Sequence, residues 1–343
     1  MKTDLTPRRE TGRLALLLAG LLLAAAAPAT TITIVNDDDP GVGFNDSTPA
    51  DPVDGNSGTT LGEQRMNTAQ AAADQWAGLV ESQVEILVQA NWEELECSPD
   101  SGVLGFAGPV TLSQDFQNAP ENGVWYHIAL ARSLAGPGSP IDTGEPDVTM
   151  TLNLSLDDGD SGCLQGNTWH YGLENSGPAG TVDLLPVILH ELAHGLGFTN
   201  FVDLETGSLF QGDPDVYMSS LRDTQADQDW LDMNDAQRAD SATNDPNVVW
   251  TGPAATEAAE EAVTAQEAFS DGFLRVHAPG ELAPGSSISH FTADASPPLL
   301  MRPSLGNLDL TQVDITPALF EDLGWTINDA GDEIFRDRFE GIQ

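Results

Sequence analysis

The sequence predicts an α+β fold: a mixed sheet with packed helices over residues 60–198, then a loop-rich second lobe over residues 199–327. Three observations carry this expectation. The stretch DVTMTLNLSL (147–156) alternates, with Val148, Met150, Leu152, Leu154 and Leu156 on one face and Thr149, Thr151, Asn153 and Ser155 on the other, as in a half-buried strand. The segment LLPVILHELAHGLGF (184–198) reads as an apolar helix central to the fold. Residues 199–289 are then mostly loop and acidic patches, ahead of one last helix.

Taken in order, residues 1–29 read as a signal peptide. Lys2, Arg8, Arg9 and Arg13 precede an apolar run (Leu14 to Ala27), and Ala27-Pro28-Ala29 offers a small-residue cleavage site. The run is short and alanine-rich for a membrane span, so the remaining chain is expected to be secreted, periplasmic or extracellular, without stable membrane association. Residues 30–59, rich in Asp, Gly, Pro and Asn after a β-like TITIV, suit an N-terminal arm or short pro-segment.

Thr60 and Glu63 then form a capping box, and Met66, Ala69, Ala73, Trp76 and Val80 recur at helical spacing. QVEILVQA (83–90) and VWYHIALA (124–131) read as strands. The acidic loop DDGDSG (157–162) offers oxygen ligands for a structural Ca2+ but lacks the EF-hand pattern, and reads as a solvated turn. Asp183 caps the apolar helix, Pro186 sits inside its first turn, and Gly195 or Gly197 ends it. ATEAAEEAVTAQEAF (255–269) reads as helical. The last helix has Asp314 or Thr316 as cap, Pro317 in its first turn and Gly324 as stop. Residues 328–343 form a tail.

After residue 29 the chain keeps 8 basic residues, all arginine, against 52 acidic ones, a formal charge of −44. Such a surface repels nucleic acid and anionic membranes, which excludes both as partners. Cys97 and Cys163 are the only cysteines, and two cysteines in an exported chain most simply form one disulfide.

The chemistry lies in HELAHGLGF (190–198). Histidines four apart on a helix project from one face, so His190 and His194 can each offer an imidazole nitrogen to one ion. Neutral imidazole suits zinc, and a catalytic zinc usually has three protein ligands. Glu191 lies about 100° round the helix from His190, placed to reach a water beside the metal without binding the metal. Burying two histidines and a glutamate within one turn is costly without a metal or hydrogen-bond partners. Spacing supplies no third ligand: Asn200, Glu205, His277 and His290 all follow, while His127 and His170 precede the helix and suit structural roles.

HELAHGLGF resembles the active-site helix of the metzincin zinc proteases. The segment SSISHFTADASPPLLMRPSLG, followed by DITPALFEDLGW, resembles the exported bacterial form of their leishmanolysin-like branch. There a long insertion separates the helix glycine from the third histidine, and a methionine turn follows. The resemblance covers about residues 60–327. It implies His290 as third ligand, Met301 in the methionine turn, and a metzincin-like two-lobed fold with one catalytic Zn2+. The implied function is a secreted zinc endopeptidase with Glu191 as general base and a protein or peptide as substrate. Substrate is then expected between the lobes, added as a strand along 147–156. The family's cysteine-rich disulfide pattern is absent, and no cysteine precedes Cys97 to serve as a latency switch. The alternative is a non-catalytic secreted zinc-binding or surface-binding protein on the same fold, against which the intact Glu191 counts.

Overall fold

The structure is a computed structural model and describes residues 29–157, 159, 161–174, 177–305 and 313–328. Residues 1–28 of the expected signal peptide, the tail beyond Asn328, and Asp158 and Asp160 of the acidic loop lie outside the described residues. The fold is α+β. In chain order come β1 (Ile32–Asn36), α1 (Leu61–Leu79), β2 (Ile86–Glu93) and β3 (Gly105–Pro109). Two short strands, β4 (Leu112–Ser113) and β5 (Tyr126–His127), lead to α2 (Ile128–Ala135) and β6 (Val148–Asn153). Then follow β7 (Thr168–His170), β8 (Thr181–Asp183) and α3 (Leu184–Leu196). The rest holds β9 (Leu221–Asp223), β10 (Gln228–Asp229), α4 (Asp235–Ser241), β11 (Val248–Trp250), α5 (Pro253–Ala262), β12 (Phe269–Ser270), β13 (Phe273–Leu274) and α6 (Thr316–Leu323).

The main sheet has the order β1-β2-β6-β3, with the first three strands parallel and β3 antiparallel to β6. The arm at 30–59 thus contributes a strand of the sheet. In α1, Thr60 Oγ1 accepts the Glu63 N–H at 3.2 Å, as the cap spacing predicts. The Glu63 carboxylate, however, takes the Thr59 N–H at 2.7 Å, so the return half of the box sits one residue early. Ala69, Ala73 and Trp76 are fully buried, and Trp76 donates its indole N–H to the Leu189 carbonyl of α3 at 3.0 Å.

Two expectations need correction. VWYHIALA is a strand only at Tyr126–His127 and then turns helical, because a short apolar run fits either period and IALARSLA is rich in good helix formers. The strand at 147–156 is interior, not an edge: β6 bonds to β2 on one side and β3 on the other, so it cannot accept an added strand. Of its polar residues, Thr151 and Asn153 are covered and satisfied, with Thr151 Oγ1 donating to Asn91 Oδ1 and Asn153 Nδ2 donating to the Val103 carbonyl, while Thr149 stays exposed. Residues 154–156 are a 3-10 turn. The free edge nearest α3 is β3.

Cys97 and Cys163 form the expected disulfide, which ties the loop entering β3 to the loop after β6. Closing a chain segment of 66 residues stabilises the fold by about 4 kcal/mol in the chain-entropy account. Within α3, Gly195 allows the helix to lie against β6: a Cβ there would meet Val148 Cγ1 at 2.3 Å. Gly195→Ala is therefore expected to cost about 1–3 kcal/mol through overpacking, read as a lower urea midpoint. An unchanged midpoint would mean that the helix–sheet spacing yields freely.

Candidate metal centre and cleft

Helix α3 is buried along its whole length, with Asp183 at its N-cap. The Asp183 side chain does not cap; it accepts from Gly177 N at 2.8 Å and pairs with His170 Nδ1 at 2.8 Å. At the other end Gly197 has φ +147°, a conformation that glycine tolerates and side chains resist, and the chain turns sharply out of the helix. This turn aims the Phe198 carbonyl back at His194 Nδ1, 2.8 Å away.

The other two imidazoles are oriented in the same way. His190 Nδ1 lies 2.8 Å from the Leu300 carbonyl, and His290 Nδ1 lies 2.8 Å from the Ser286 carbonyl. A carbonyl only accepts, so each Nδ1 carries the proton and each Nε2 presents a lone pair. The three Nε2 atoms converge: 3.1 Å for His190–His290, 3.1 Å for His190–His194 and 3.3 Å for His194–His290. Three acceptors cannot satisfy one another, and all three rings are buried. A cation can satisfy them. Two nitrogens each about 2.0–2.1 Å from one zinc at a near-tetrahedral angle stand about 3.3 Å apart, which matches the observed spacings.

Burial and the neighbouring His194 push the His190 pKa down to about 3, and burial pushes His194 down to about 4. Burial and the two facing rings hold His290 well below the ordinary value. The rings are thus neutral and ready to ligate at neutral pH. Glu191 is buried beside them, and burial raises its pKa to about 8 against the opposing pull of the Ala107 N–H of β3. Gly105 on the same strand packs close to β6, since a Cβ there would stand 3.0 Å from the Thr151 carbonyl oxygen and 3.1 Å from Leu152 Cδ2.

The remaining expected candidates fall elsewhere. Glu205 is exposed, on the turn after α3. His277 stays outside the triad but pairs by backbone with His290, its N–H donating to the His290 carbonyl at 2.9 Å. Asn200 donates from Nδ2 to Ser289 Oγ at 3.0 Å, next to His290. His127 is buried and its Nε2 lies 2.9 Å from the Thr199 carbonyl, fixing the chain that leaves α3. Met301 is fully buried, directly after the carbonyl that holds His190, and its own carbonyl accepts the Phe291 N–H at 2.7 Å. Asp314 accepts the Leu300 N–H at 2.6 Å and so braces this turn from the start of α6. In the acidic loop, Asp157 is engaged by Arg65 and by the Tyr171 hydroxyl.

The carbonyls of Phe198, Ser286 and Leu300, the Ala107 N–H and Asp314 are functional groups that sequence reasoning missed. Backbone groups carry no residue signature; Asp314 alone had a signal, and it pointed to a helix cap. Around the triad a cleft of about 860 Å3 runs between β3 and the segments 284–290 and 302–305.

His127 gives a test of this neighbourhood. Burial lowers its pKa to about 4, while in the unfolded chain the ring titrates near 6.5. The unfolded state therefore binds more protons between these values, and stability falls as pH drops from 6.5 toward 4. The expected slope from this ring is about 1.4 kcal/mol per pH unit, read as the difference in pH dependence between wild type and His127→Gln in urea unfolding of the metal-free proteins, since the other buried groups titrate alike in both. An identical pH dependence in the two proteins would rule out a buried neutral ring.

No protein-family model matches the chain, and no solved structure matches it. An uncharacterized protein of Schizosaccharomyces pombe is 27% identical over 155 residues, which is 43% of this chain. The chain covers a quarter of that protein's length.

Proposed function

We propose that this protein is a secreted zinc-dependent endopeptidase with a metzincin-like two-lobed fold of the leishmanolysin-like sort. The observation that carries this reading is the convergence of three unprotonated Nε2 atoms beside a buried glutamate at the floor of an open cleft. His190, His194 and His290 would hold the zinc. The donor set fits: neutral imidazole suits zinc, as it also suits copper, iron and nickel, and a three-histidine set with a position left open is a common catalytic zinc arrangement. Zinc bound there supplies Lewis acidity, lowering the pKa of water and polarising a carbonyl.

The chain's own groups do the rest. Glu191 takes a proton from the attacking water and returns it to the departing amine. A pKa near neutrality suits both transfers, and a neighbouring cation would draw it downward. The edge strand β3 offers backbone groups to an extended peptide, replacing the role expected of 147–156, and exposed Phe106 lies on it. Among the described residues no helix is long and apolar enough to cross a membrane, and the disulfide fits an oxidising compartment.

The test is digestion of unfolded casein by zinc-loaded protein, with and without a chelator. Chelator-sensitive cleavage at defined bonds, restored by zinc, is the expected result. Stoichiometric zinc with intact casein would favour the non-catalytic zinc-binding alternative.

A further inference from the structure

The described part of the chain holds six arginines, and five are committed to carboxylates. Arg65 pairs with Asp46 and Asp157, and Arg132 with Asp142 and Asp147. Arg222 pairs with Asp227 and Asp229, Arg238 with Asp235, and Arg275 with Asp245 and Asp294. Arg302 has no such partner among the described residues. Its Nε is sealed from solvent and makes no hydrogen bond. It lines the cleft beside the triad, two residues after Leu300, whose carbonyl holds His190. Two residues of extended chain reach about 7 Å, so the backbone of Arg302 stands close to the turn that orients His190, and its side chain lines the same cleft as the triad.

In a chain with 54 acidic residues, a cation without a carboxylate partner among the described residues is not explained by a shortage of acids. Arg132 and Arg275 also leave Nε unbonded, but both have carboxylates on their terminal nitrogens; Arg302 is the partly buried guanidinium that lacks one among the described residues, and an anion docking there would offset that cost. The fork of N–H donors matches a carboxylate in two-point contact. The cleft's other charged lining groups, Asp100 and Glu191, are acidic, and Asp100 is engaged by Gln165 at 3.5 Å. The acidic surface repels an anionic peptide at long range, but at physiological salt that repulsion fades beyond about 8 Å. A contact inside the cleft is then what decides.

We propose that Arg302 is the specificity-determining residue of the cleft, recognising a carboxylate on the peptide next to the bond that is cut. This rests on the peptidase reading above. The carboxylate has two sources, an Asp or Glu side chain or the peptide's own C-terminus, and the experiment separates them.

Zinc-loaded wild type and Arg302→Met are given a library of unstructured peptides, and cleavage sites are read by mass spectrometry. Matched pairs then carry Asp or Asn at the selected position, and a free or amidated C-terminus. Wild type is expected to favour the charged member of one pair by about tenfold or more in kcat/KM, as a charge-assisted contact supplies. In Arg302→Met that ratio is expected to fall close to one, and Arg302→Lys should recover part of it. The ratio is taken within one protein sample, so partial misfolding of a variant cancels. A preference in the Asp/Asn pair assigns the side chain; a preference lost on amidation, with cuts near the C-terminus, assigns the terminal carboxylate. Equal rates for both members of both pairs in wild type, or an unchanged ratio in Arg302→Met, overturns the role of Arg302. Failure of wild type to cut any peptide sinks the peptidase reading and this inference with it, which is a different result from an even profile.

Discussion

His290→Ala is expected to leave a protein that can no longer hold zinc in a one-to-one ratio. Removing this side chain leaves His190 and His194 alone, and two ligands do not make a stable protein site. The loss of affinity should exceed the roughly 10–100-fold that removal of an outer-shell partner costs. Asn200→Ala is the matched control, because Asn200 lines the cleft and bonds to Ser289 but no hydrogen bond joins it to the three imidazoles, so metal content should stay near normal. Metal analysis after dialysis against a buffered zinc concentration reads both. The fold has reason to survive, since the segment carrying His290 is held by its backbone bonds to His277 and Arg275. Full zinc retention by His290→Ala would remove the third ligand from the account.

Glu191→Gln carries the second large effect. The amide keeps the size of the carboxylate and can accept from the Ala107 N–H, but it cannot take a proton from water. Zinc content should stay stoichiometric while casein cleavage falls by about 10²–10⁴-fold, the usual worth of a positioned general base. A variant that keeps metal and still cuts at the parental rate would move the base elsewhere. If metal is lost as well, Glu191 holds the site together and its chemical role is not what the geometry suggests.

Much of this site was legible before any coordinates. The spacing of His190 and His194 and the helix around them follow from local periodicity, and the cysteine pair had one partner each to choose. The position of His290 is different: ninety-six residues separate it from His194, and no local rule links them. Resemblance to a known pattern singled it out, and the converging rings now support it. Strand β3 was invisible for a physical reason. GFAGP has two glycines and a proline and no alternation, so its extended state comes from pairing with β6, not from propensity. The same non-local effect misled the reading of 147–156 as an edge: its alternation gives no sign of the pairing with β2 and β3 on both sides, and of its polar face Thr149 stays exposed while Thr151 and Asn153 are covered. The outer hydrogen bonds of the triad escape sequence reading altogether, because any residue can supply a carbonyl.

The place of β1 in the sheet limits how the protein can be matured by proteolysis. Ile32 and Ile34 are buried, and the strand pairs with β2 from Ile32↔Ile86 through Asn36↔Ala90. Just ahead of it, Thr30 Oγ1 donates to the Val80 carbonyl at 2.6 Å. Beyond it, Phe44 packs edge-on against Trp92 and Asn56 Nδ2 donates to the Tyr171 carbonyl, tying the segment down as far as α1. A trimming cut anywhere from Thr30 to Thr60 would sever a piece of the sheet or its packing, not release a detachable inhibitor. A processing cut at this end is therefore expected upstream of Thr30, where it leaves the sheet and its packing whole.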